Sequence, residues 1–233
     1  MDIISNLLKV AGKEDFQLDK RISKRYIVYL CWKYAWMMIR GKLFSLGYNQ
    51  ISGNIFIGNN VKVREKRYLI IGNKVKLHDG VYIDALSKET GKVFLGDYVV
   101  LGRETRIECT GSLQSLGKGV IIGNRTTFGN NCFFGAAGGI EVGEDVVAGQ
   151  FIRFHSENHN YSKMDCLIKK QGVTHNGIKI GNNCWIGSGV VFLDGAELGD
   201  GCVVAANAVV NKKFIDNSVI GGVPAKLIKI RGD

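Results

Sequence analysis

The sequence is poor in proline: Pro224 is the only one among its 233 residues. Its six cysteines form no C-x-x-C pair and no zinc-ligand spacing, which argues against zinc-finger and thioredoxin-like classes. The longest aromatic-rich apolar stretch, Tyr26 to Ile39, is interrupted by Lys33 and is too short and too charged for a membrane span. We see no secretory signal, so we expect a cytoplasmic protein whose cysteines act as small apolar filler.

Glycine, in contrast, is abundant. The chain has 31 glycines in 233 residues, about 13% against a usual ~7%. Many of them stand in Gly-Asn-Asn or Gly-Asp-Gly triplets, whose residues tolerate positive φ. High glycine with scarce proline therefore indicates ordered turns rather than a flexible linker.

An apolar residue recurs at every sixth position near the C-terminus, and the positions are Ile180, Ile186, Phe192, Leu198, Val204 and Val210. A period of six fits no α-helix, whose period is 3.6, but fits short strands joined by tight turns. This pattern predicts an all-β fold, the parallel β-helix of hexapeptide-repeat solenoids. Cys184 and Cys202, which are 18 residues apart, should then stack on adjacent coils.

Pairs of an apolar residue and glycine mark the coils, with glycines at 58, 72, 96, 123, 143, 181 and 199. The last spacing of 18 is three hexapeptides, so the spacing of 38 before it is one coil plus about twenty inserted residues. This insert, roughly 154 to 176, holds three of the four histidines, His155, His159 and His175. Insertions in solenoids become loops, often on the binding face, and histidine suits proton transfer near neutral pH.

We therefore divide the chain into an N-terminal helical segment (1–50), a β-helix domain (51–213) with an inserted loop (154–177), and a C-terminal tail (214–233). The N-terminal segment mixes bulky apolar residues with cations. Two compatible interpretations remain open for it. It caps the open end of the solenoid, or it lies on an anionic membrane with Trp32 and Trp36 as anchors.

Four segments carry a family resemblance: Ser156–Tyr161, Ile180–Ser188, Val203–Val210 and Asn217–Ile228. In this order they resemble the hexapeptide-repeat acyltransferases, close to the galactoside, maltose and polysaccharide O-acetyltransferase branch. The resemblance implies a left-handed triangular β-helix that assembles as a homotrimer with its active sites between subunits. It also implies acetyl-CoA as co-substrate, a sugar or glycan as acceptor, and no metal.

The same resemblance assigns roles to particular residues. His159 matches the catalytic base, and we expect supporting or acceptor-contact roles for His155 and Asn158. The positions that match the acetyl-CoA site are Trp185, Ser188, Ala205, Ala206, Lys212, Lys226 and Lys229. Asn207 and the Asn211–Lys212 pair depart from the family pattern, at the adenine end of the donor site.

We accordingly expect an acetyl-CoA-dependent O-acetyltransferase acting on a hydroxyl of a sugar or cell-surface polysaccharide precursor, with histidine as general base. The alternatives are N-acetylation of an amino or nucleotide sugar and acetylation of an antibiotic. More remote alternatives are a zinc carbonic-anhydrase-like β-helix and a non-catalytic solenoid. We expect no nucleic-acid binding, because the basic excess lies at the chain ends without an aromatic-basic reader motif. The expected location is cytoplasmic. The alternative is a peripheral location at the inner membrane face, with contact through the N-terminal segment.

Overall fold

The computed structural model describes residues 19, 21–48, 50–89 and 92–233. In this part of the chain one helix, α1 (Lys24–Ser45), precedes a solenoid of short strands. Each coil contributes one strand to each of three parallel sheets. Every third strand along the chain therefore stacks in the same sheet. The predicted parallel β-helix is therefore confirmed.

We call the three sheets the first, second and third face, in the order in which the chain visits them. The first face contains β1 (Phe56–Ile57), β4 (Lys76–Leu77), β7 (Val100–Leu101), β10 (Thr127–Phe128), β13 (Val147–Ala148), β18 (Trp185–Ile186), β21 (Val203–Val204), β24 (Ser218–Gly221) and β25 (Lys226–Ile230). The second contains β2 (Lys62–Arg64), β5 (Tyr82–Asp84), β8 (Arg106–Glu108), β11 (Phe133–Gly135), β14 (Arg153–His155), β19 (Val191–Leu193) and β22 (Val209–Val210). The third contains β3 (Leu69–Ile71), β6 (Val93–Leu95), β9 (Val120–Ile122), β12 (Ile140–Val142), β17 (Ile178–Ile180), β20 (Glu197–Leu198) and β23 (Lys213–Phe214).

Two further strands, β15 (Asn158–His159) and β16 (Val173–Thr174), form a separate antiparallel pair, and short 3₁₀ turns lie at Lys66–Tyr68 and Ile168–Lys170. We number the corners in the same way as the faces. The first corner joins the first and second faces, the second corner joins the second and third, and the third corner closes the coil.

The core is one narrow column of inward side chains. At its centre four phenylalanines, Phe128, Phe134, Phe154 and Phe192, are almost fully buried. The ring of Phe154 stacks on Phe134 with centroids 4.8 Å apart and on Phe192 at 5.0 Å. Because successive strands stack in parallel register, identical positions of adjacent coils meet, and the hexapeptide period becomes a continuous apolar stack.

At the third corner, the first glycine of a triplet serves close approach to the next coil, and the third residue takes the positive φ expected of these triplets, as at Asn183 and Gly201. At the third corner, a Cβ on Gly181 would lie 2.6 Å from the carbonyl carbon of Gly199 and 2.7 Å from the amide nitrogen of Asp200 on the next coil. The positive φ falls two residues later, at Asn183 (53°). The amide of Asn182 donates to the Asp200 carboxylate at 2.7 Å, so the polar residue after glycine ties one coil to the next.

The cysteine prediction is confirmed, because Trp185 and Val203 are register partners and the preceding residues, Cys184 and Cys202, therefore lie on adjacent coils. All six cysteines are free thiols, and four of them, Cys109, Cys132, Cys184 and Cys202, are buried.

Helix α1 packs against the first coil. Ser23 caps its N-terminus by accepting a hydrogen bond from the amide of Tyr26. Gly41 is buried against the backbone carbonyl of Ile55, where any larger side chain would collide, and Arg40 Nε donates to the carbonyl of Ile57 at 2.9 Å. These direct contacts support the interpretation that the N-terminal segment packs against the solenoid. Among the described residues, no helix has the length and apolarity needed to cross a bilayer.

The structure changes two of the segment boundaries that we drew from the sequence, those of the C-terminal tail and of the insert. Strand β24 lies parallel to β21, so the solenoid continues past residue 213, and only β25 folds back antiparallel on it. The segment that we separated as a tail therefore completes the first face. At the insert, Phe154 and His155 belong to strand β14 of the coil, so the chain leaves the solenoid only after Ser156.

We expect Phe154→Ala to lower the free energy of unfolding by about 3–5 kcal/mol, because it opens a cavity in the middle of the phenylalanine stack. Urea unfolding would measure this against Leu113→Ala, whose side chain is 85% exposed and should change stability by less than about 0.5 kcal/mol. Equal midpoints for the two variants would contradict the role of the aromatic stack.

Candidate active site

The insert is a hairpin that projects from the second corner of the solenoid. Its two strands pair Asn158 with Thr174 and His159 with Val173. At its root Ser156 is fully buried, and its hydroxyl donates to the carbonyl of Gly135 at 2.8 Å and accepts from the amide of Gly138 at 2.9 Å. The hairpin therefore starts from a fixed position on the coil.

A buried carboxylate fixes the end of the insert. Asp194 is only 7% exposed and lies at the second corner of the next coil. It accepts hydrogen bonds from the amide of Gly177 at 2.8 Å and from the amide and side chain of Asn176 at 3.1 and 2.9 Å. The Thr174 hydroxyl adds a contact at 3.3 Å. The returning strand is thereby held against the next coil.

An imidazole–carboxylate pair crosses the root of the hairpin. His175 Nε2 lies 2.6 Å from Glu157 Oε2, and both groups are partly buried. This pair joins the outgoing and returning chains, and it also gives His175 the carboxylate neighbour that orients a catalytic imidazole in many enzymes. Sequence reasoning assigned no role to either residue.

Gln171 closes the distal part of the insert. Its side-chain amide donates to the carbonyl of Lys163 at 2.7 Å and to that of Cys166 at 2.9 Å, while its oxygen accepts from the amide of Lys163. Asp194 and Gln171 were both missed from the sequence. The one signal for Asp194 was its place at the corner one coil after the insert, and a single acidic residue in a turn is not distinctive.

The predicted base lies on the exposed part of this hairpin. His159 is exposed, and within the described residues its ring has no hydrogen-bond or ion-pair partner. Asn158, the preceding residue, is also exposed. The hairpin thus presents a solvent-facing imidazole on a hydrogen-bonded frame, which is the arrangement needed for proton transfer with a docked molecule.

His155 occupies a different position from His159, on the second face. Its ring is 5.8 Å from that of Phe133, and its register partner Gly135 leaves room beside it. Partial burial lowers the pKa of His155, and the positive charge of Arg153 lowers it further. The ring is therefore biased toward its neutral form.

Trp185 and Lys229 stand at the two ends of one outward row on the first face. The register runs from Trp185 through Val203 and Val219 to Lys229. Three strand spacings separate the ends, about 14 Å. Trp185 is 61% exposed, and Lys226 lies on the same terminal strand as Lys229. The row offers an aromatic surface at one end and cations at the other.

Small residues line the first corner beside this row. The amide of Asn207 donates to the carbonyl of Ser188 at 2.9 Å, and a Cβ on Gly187 would lie 2.5 Å from the amide nitrogen of Ala206. Ser188, Ala205 and Ala206 are exposed there. Asn207 adopts a left-handed conformation with φ of 59°, which asparagine tolerates. The turn is therefore retained although Asn207 departs from the family pattern.

Lys212 does not join the other predicted donor-site residues within one chain. It lies at the second corner, where its ammonium is 5.4 Å from the centre of the Phe214 ring. The structure thus groups Trp185, Ser188, Ala205, Ala206, Lys226 and Lys229 around the first face. It leaves Lys212 at the corner from which the His159 hairpin projects.

The two groups lie on opposite sides of the triangular cross-section. The second corner is the vertex opposite the first face, because the first face runs between the third and first corners. A single chain therefore presents its exposed histidine and its exposed tryptophan in different directions.

A cavity lies elsewhere, on the third face beside the root of the insert, with a volume of about 370 Å³. Lys88, Lys92, Lys118 and Lys179 line it, and Lys118 donates to the carbonyl of His175 at 2.9 Å. None of the predicted site residues lines this cavity. Nor do the described residues contain a cluster of three or more His, Cys, Asp or Glu side chains able to hold a metal ion, the arrangement that the zinc alternative requires.

Two family models match the solenoid. The model described as Bacterial transferase hexapeptide (six repeats) matches residues 177–212, and the model described as Hexapeptide repeat of succinyl-transferase matches residues 119–149. The matches flank the insert on both sides.

Curated relatives and a solved structure extend the similarity. A probable acetyltransferase of Mycobacterium tuberculosis is 30% identical over 199 residues, 84% of this chain and 56% of the relative. A putative lipopolysaccharide biosynthesis O-acetyl transferase of Escherichia coli is 28% identical over 125 residues, 50% of this chain and 64% of the relative. A hexapeptide-repeat acetyltransferase of Vibrio cholerae, solved with acetyl coenzyme A, is 26% identical with a TM-score of 0.51, covering 60% of this chain and 71% of that one.

The repeat, the triangular cross-section and these similarities define the class as a left-handed parallel β-helix, as the family resemblance implied. The chain belongs to the hexapeptide-repeat acyltransferase family. It spans between about half and two thirds of the length of the two curated relatives described here.

We expect Asp194→Ala to loosen the insert without unfolding the coils. Its loss removes the acceptor of the amides of Asn176 and Gly177, and a hydrogen bond to a charged group contributes about 1.5–3 kcal/mol. Amide hydrogen exchange over residues 157–177 should accelerate about tenfold or more, while exchange over Ile178–Ile180 should change little. The control is Asp165→Ala, an exposed carboxylate in the same insert. Unchanged exchange in the Asp194 variant would refute the anchoring role.

Proposed function

We propose that the protein is an acetyl-CoA-dependent O-acetyltransferase that acetylates a hydroxyl group of a sugar in a glycan precursor. The observation that carries the proposal is the exposed His159 on an anchored hairpin in a chain whose first face carries the Trp185–Lys229 row. The Vibrio cholerae structure with acetyl coenzyme A and the Escherichia coli O-acetyl transferase support the donor and the reaction.

The first face suits an acyl-CoA donor. Such a molecule is long and thin, with a phosphorylated nucleotide at one end and a thioester at the other. Trp185 offers a flat apolar surface, and Ala205 and Ala206 let a thin chain lie close to the first corner. Lys226 and Lys229 provide positive charge for the phosphates at the far end of the row. The thioester would then lie at the tryptophan end.

His159 would act as the general base. Its imidazole accepts the proton of the acceptor hydroxyl while that oxygen forms a bond to the thioester carbonyl carbon. The carbon–sulfur bond then breaks, and the imidazolium returns the proton to the departing thiolate. The products are an acetyl ester and free coenzyme A, so no oxidant or metal enters the balance. His155 and Asn158, on the strands that lead into the hairpin, would contact the acceptor.

The assembly that fits this chemistry is a homotrimer. Since the second corner lies opposite the first face, His159 of one chain can approach a donor only on the first face of another chain. A closed three-fold ring of flat-sided solenoids places each hairpin beside a neighbour. In such a ring Lys212, at the same corner as the hairpin, would also reach the neighbour's donor.

The acceptor that fits the chain best is a glycan precursor at the inner face of the cytoplasmic membrane. The basic N-terminal helix supports this location, as does the similarity to a lipopolysaccharide biosynthesis protein. Release of free thiol from acetyl-CoA, measured across a panel of sugars, nucleotide sugars and lipid-linked glycans, tests the activity and identifies the acceptor. Thiol release with amino sugars only would point to N-acetylation instead.

With a confirmed acceptor, we expect His159→Ala to lower kcat by about 10²–10⁴-fold while acetyl-CoA binding changes little. In the wild type, activity should fall on acidification, because a protonated imidazole cannot accept the hydroxyl proton. His155→Ala should cost less than His159→Ala.

His175→Ala is the matched comparison, because this residue has a carboxylate partner that His159 lacks. If His175 only braces the hairpin, Glu157→Gln, which keeps a hydrogen bond across the root, should retain more activity than His175→Ala. If His175→Ala lost all activity while His159→Ala stayed active, His175 rather than His159 would be the general base.

A further inference from the structure

The outward side of α1 is apolar, which is unusual for a helix on a soluble domain. Val28, Trp32, Ile39 and Leu43 have exposed fractions of 68%, 66%, 44% and 62%. Their spacing of four, seven and four residues places them on one side of the helix. Trp36 and Leu46, 42% and 75% exposed, extend the same stripe.

The opposite side of α1 packs against the solenoid. Ile27, Met37 and Gly41 are its buried residues, and the Tyr34 ring meets Phe56 of the first coil edge to face at 6.2 Å. The helix is therefore apolar on both sides. A helix with this character needs a second apolar environment, since contiguous exposed apolar surface marks an interaction site.

The charge around this stripe is of one sign. From Lys20 to Arg64 the sequence contains nine lysines and arginines and no aspartate or glutamate. Lys24, Arg25 and Lys42 are exposed on α1, and in the described part of the chain no salt bridge involves them. This stretch alone supplies nine positive charges in a chain whose net charge is +10.

We propose that α1 docks the protein on an anionic lipid bilayer. Val28, Trp32, Ile39 and Leu43 enter the headgroup boundary, and Lys24, Arg25 and Lys42 contact acidic headgroups. Tryptophan is favoured at this boundary because its ring is apolar and its N–H is polar. The solenoid covers the other side of the helix, so α1 lies in the plane of the membrane surface rather than across it.

A second copy of the chain is the other occupant to consider, and the charge argues against it. A symmetric contact through this face would bring the same unbalanced cations of each copy together, and like charges in an interface are costly. An anionic surface neutralises them instead. This inference does not rest on acetyl transfer, since it concerns a surface outside the candidate site.

The test is flotation of the full-length protein with vesicles made of equal parts phosphatidylglycerol and phosphatidylcholine, compared with phosphatidylcholine alone. We expect binding to the anionic vesicles and release at high salt. In a Trp185→Phe variant only Trp32 and Trp36 remain of the three tryptophans. Their fluorescence should shift to the blue when the vesicles are added.

Two double variants separate the apolar and electrostatic contributions. Trp32→Ser/Leu43→Ser should weaken vesicle binding at least about tenfold. Arg25→Gln/Lys42→Gln should weaken it about thirtyfold, as expected for two lysine or arginine contacts. The matched controls alter exposed residues elsewhere: Leu113→Ser/Ile215→Ser, 85% and 72% exposed, and Lys169→Gln/Lys170→Gln on the insert. Both controls should bind like the wild type.

Three results would overturn the proposal. One is equal wild-type binding to anionic and neutral vesicles. Another is unchanged vesicle binding in Trp32→Ser/Leu43→Ser. The third is a wild type that does not bind vesicles, together with a Trp32→Ser/Leu43→Ser variant that sediments as a smaller oligomer. This result would show that the face is a contact between copies of the chain.

Discussion

The close stacking of one coil on the next is the constraint on which the rest of the molecule depends. Where Gly181 meets the backbone of Gly199 and Asp200, no side chain fits between the coils. The same approach recurs at Gly72, Gly96, Gly123 and Gly143 along the third corner. Because the coils can approach each other this closely at the corner, the strands pair in register, the phenylalanine rings stack, and the outer faces are flat rows of side chains.

Flat faces and the inserted hairpin determine how a site can be built. The solenoid offers rows of side chains such as the one from Trp185 to Lys229. A hairpin projects from the second corner, and Ser156, Asp194 and the Glu157–His175 pair hold its root. The hairpin and the row face different directions in one chain. In the proposed trimer, the hairpin of one copy lies against the row of the next, and the two together form the site.

Much of this could be predicted from sequence, since the relevant signals are periodic. The sixfold recurrence from Ile180 to Val210 predicts the coils, and the irregular spacing before Gly181 predicts the insert with His159. Contacts between distant positions leave no such period. His155 lies on a coil strand because the chain continues in register to Ser156, and Lys212 lies across the triangle from Trp185 because the two occupy different faces. The outward apolar stripe of α1 becomes visible only once the solenoid shows which side of the helix is buried.

The most direct test of the account concerns whether one site needs two chains. A His159→Ala chain and a Trp185→Ala chain, each with its own affinity tag, would be co-expressed, and the mixed trimers isolated by both tags. Each variant alone should be nearly inactive. In a trimer that contains both variants, one of the three interfaces combines an intact histidine with an intact tryptophan, so activity should recover to about a third of the wild type. Mixed trimers with no recovered activity would contradict a site shared between neighbouring chains.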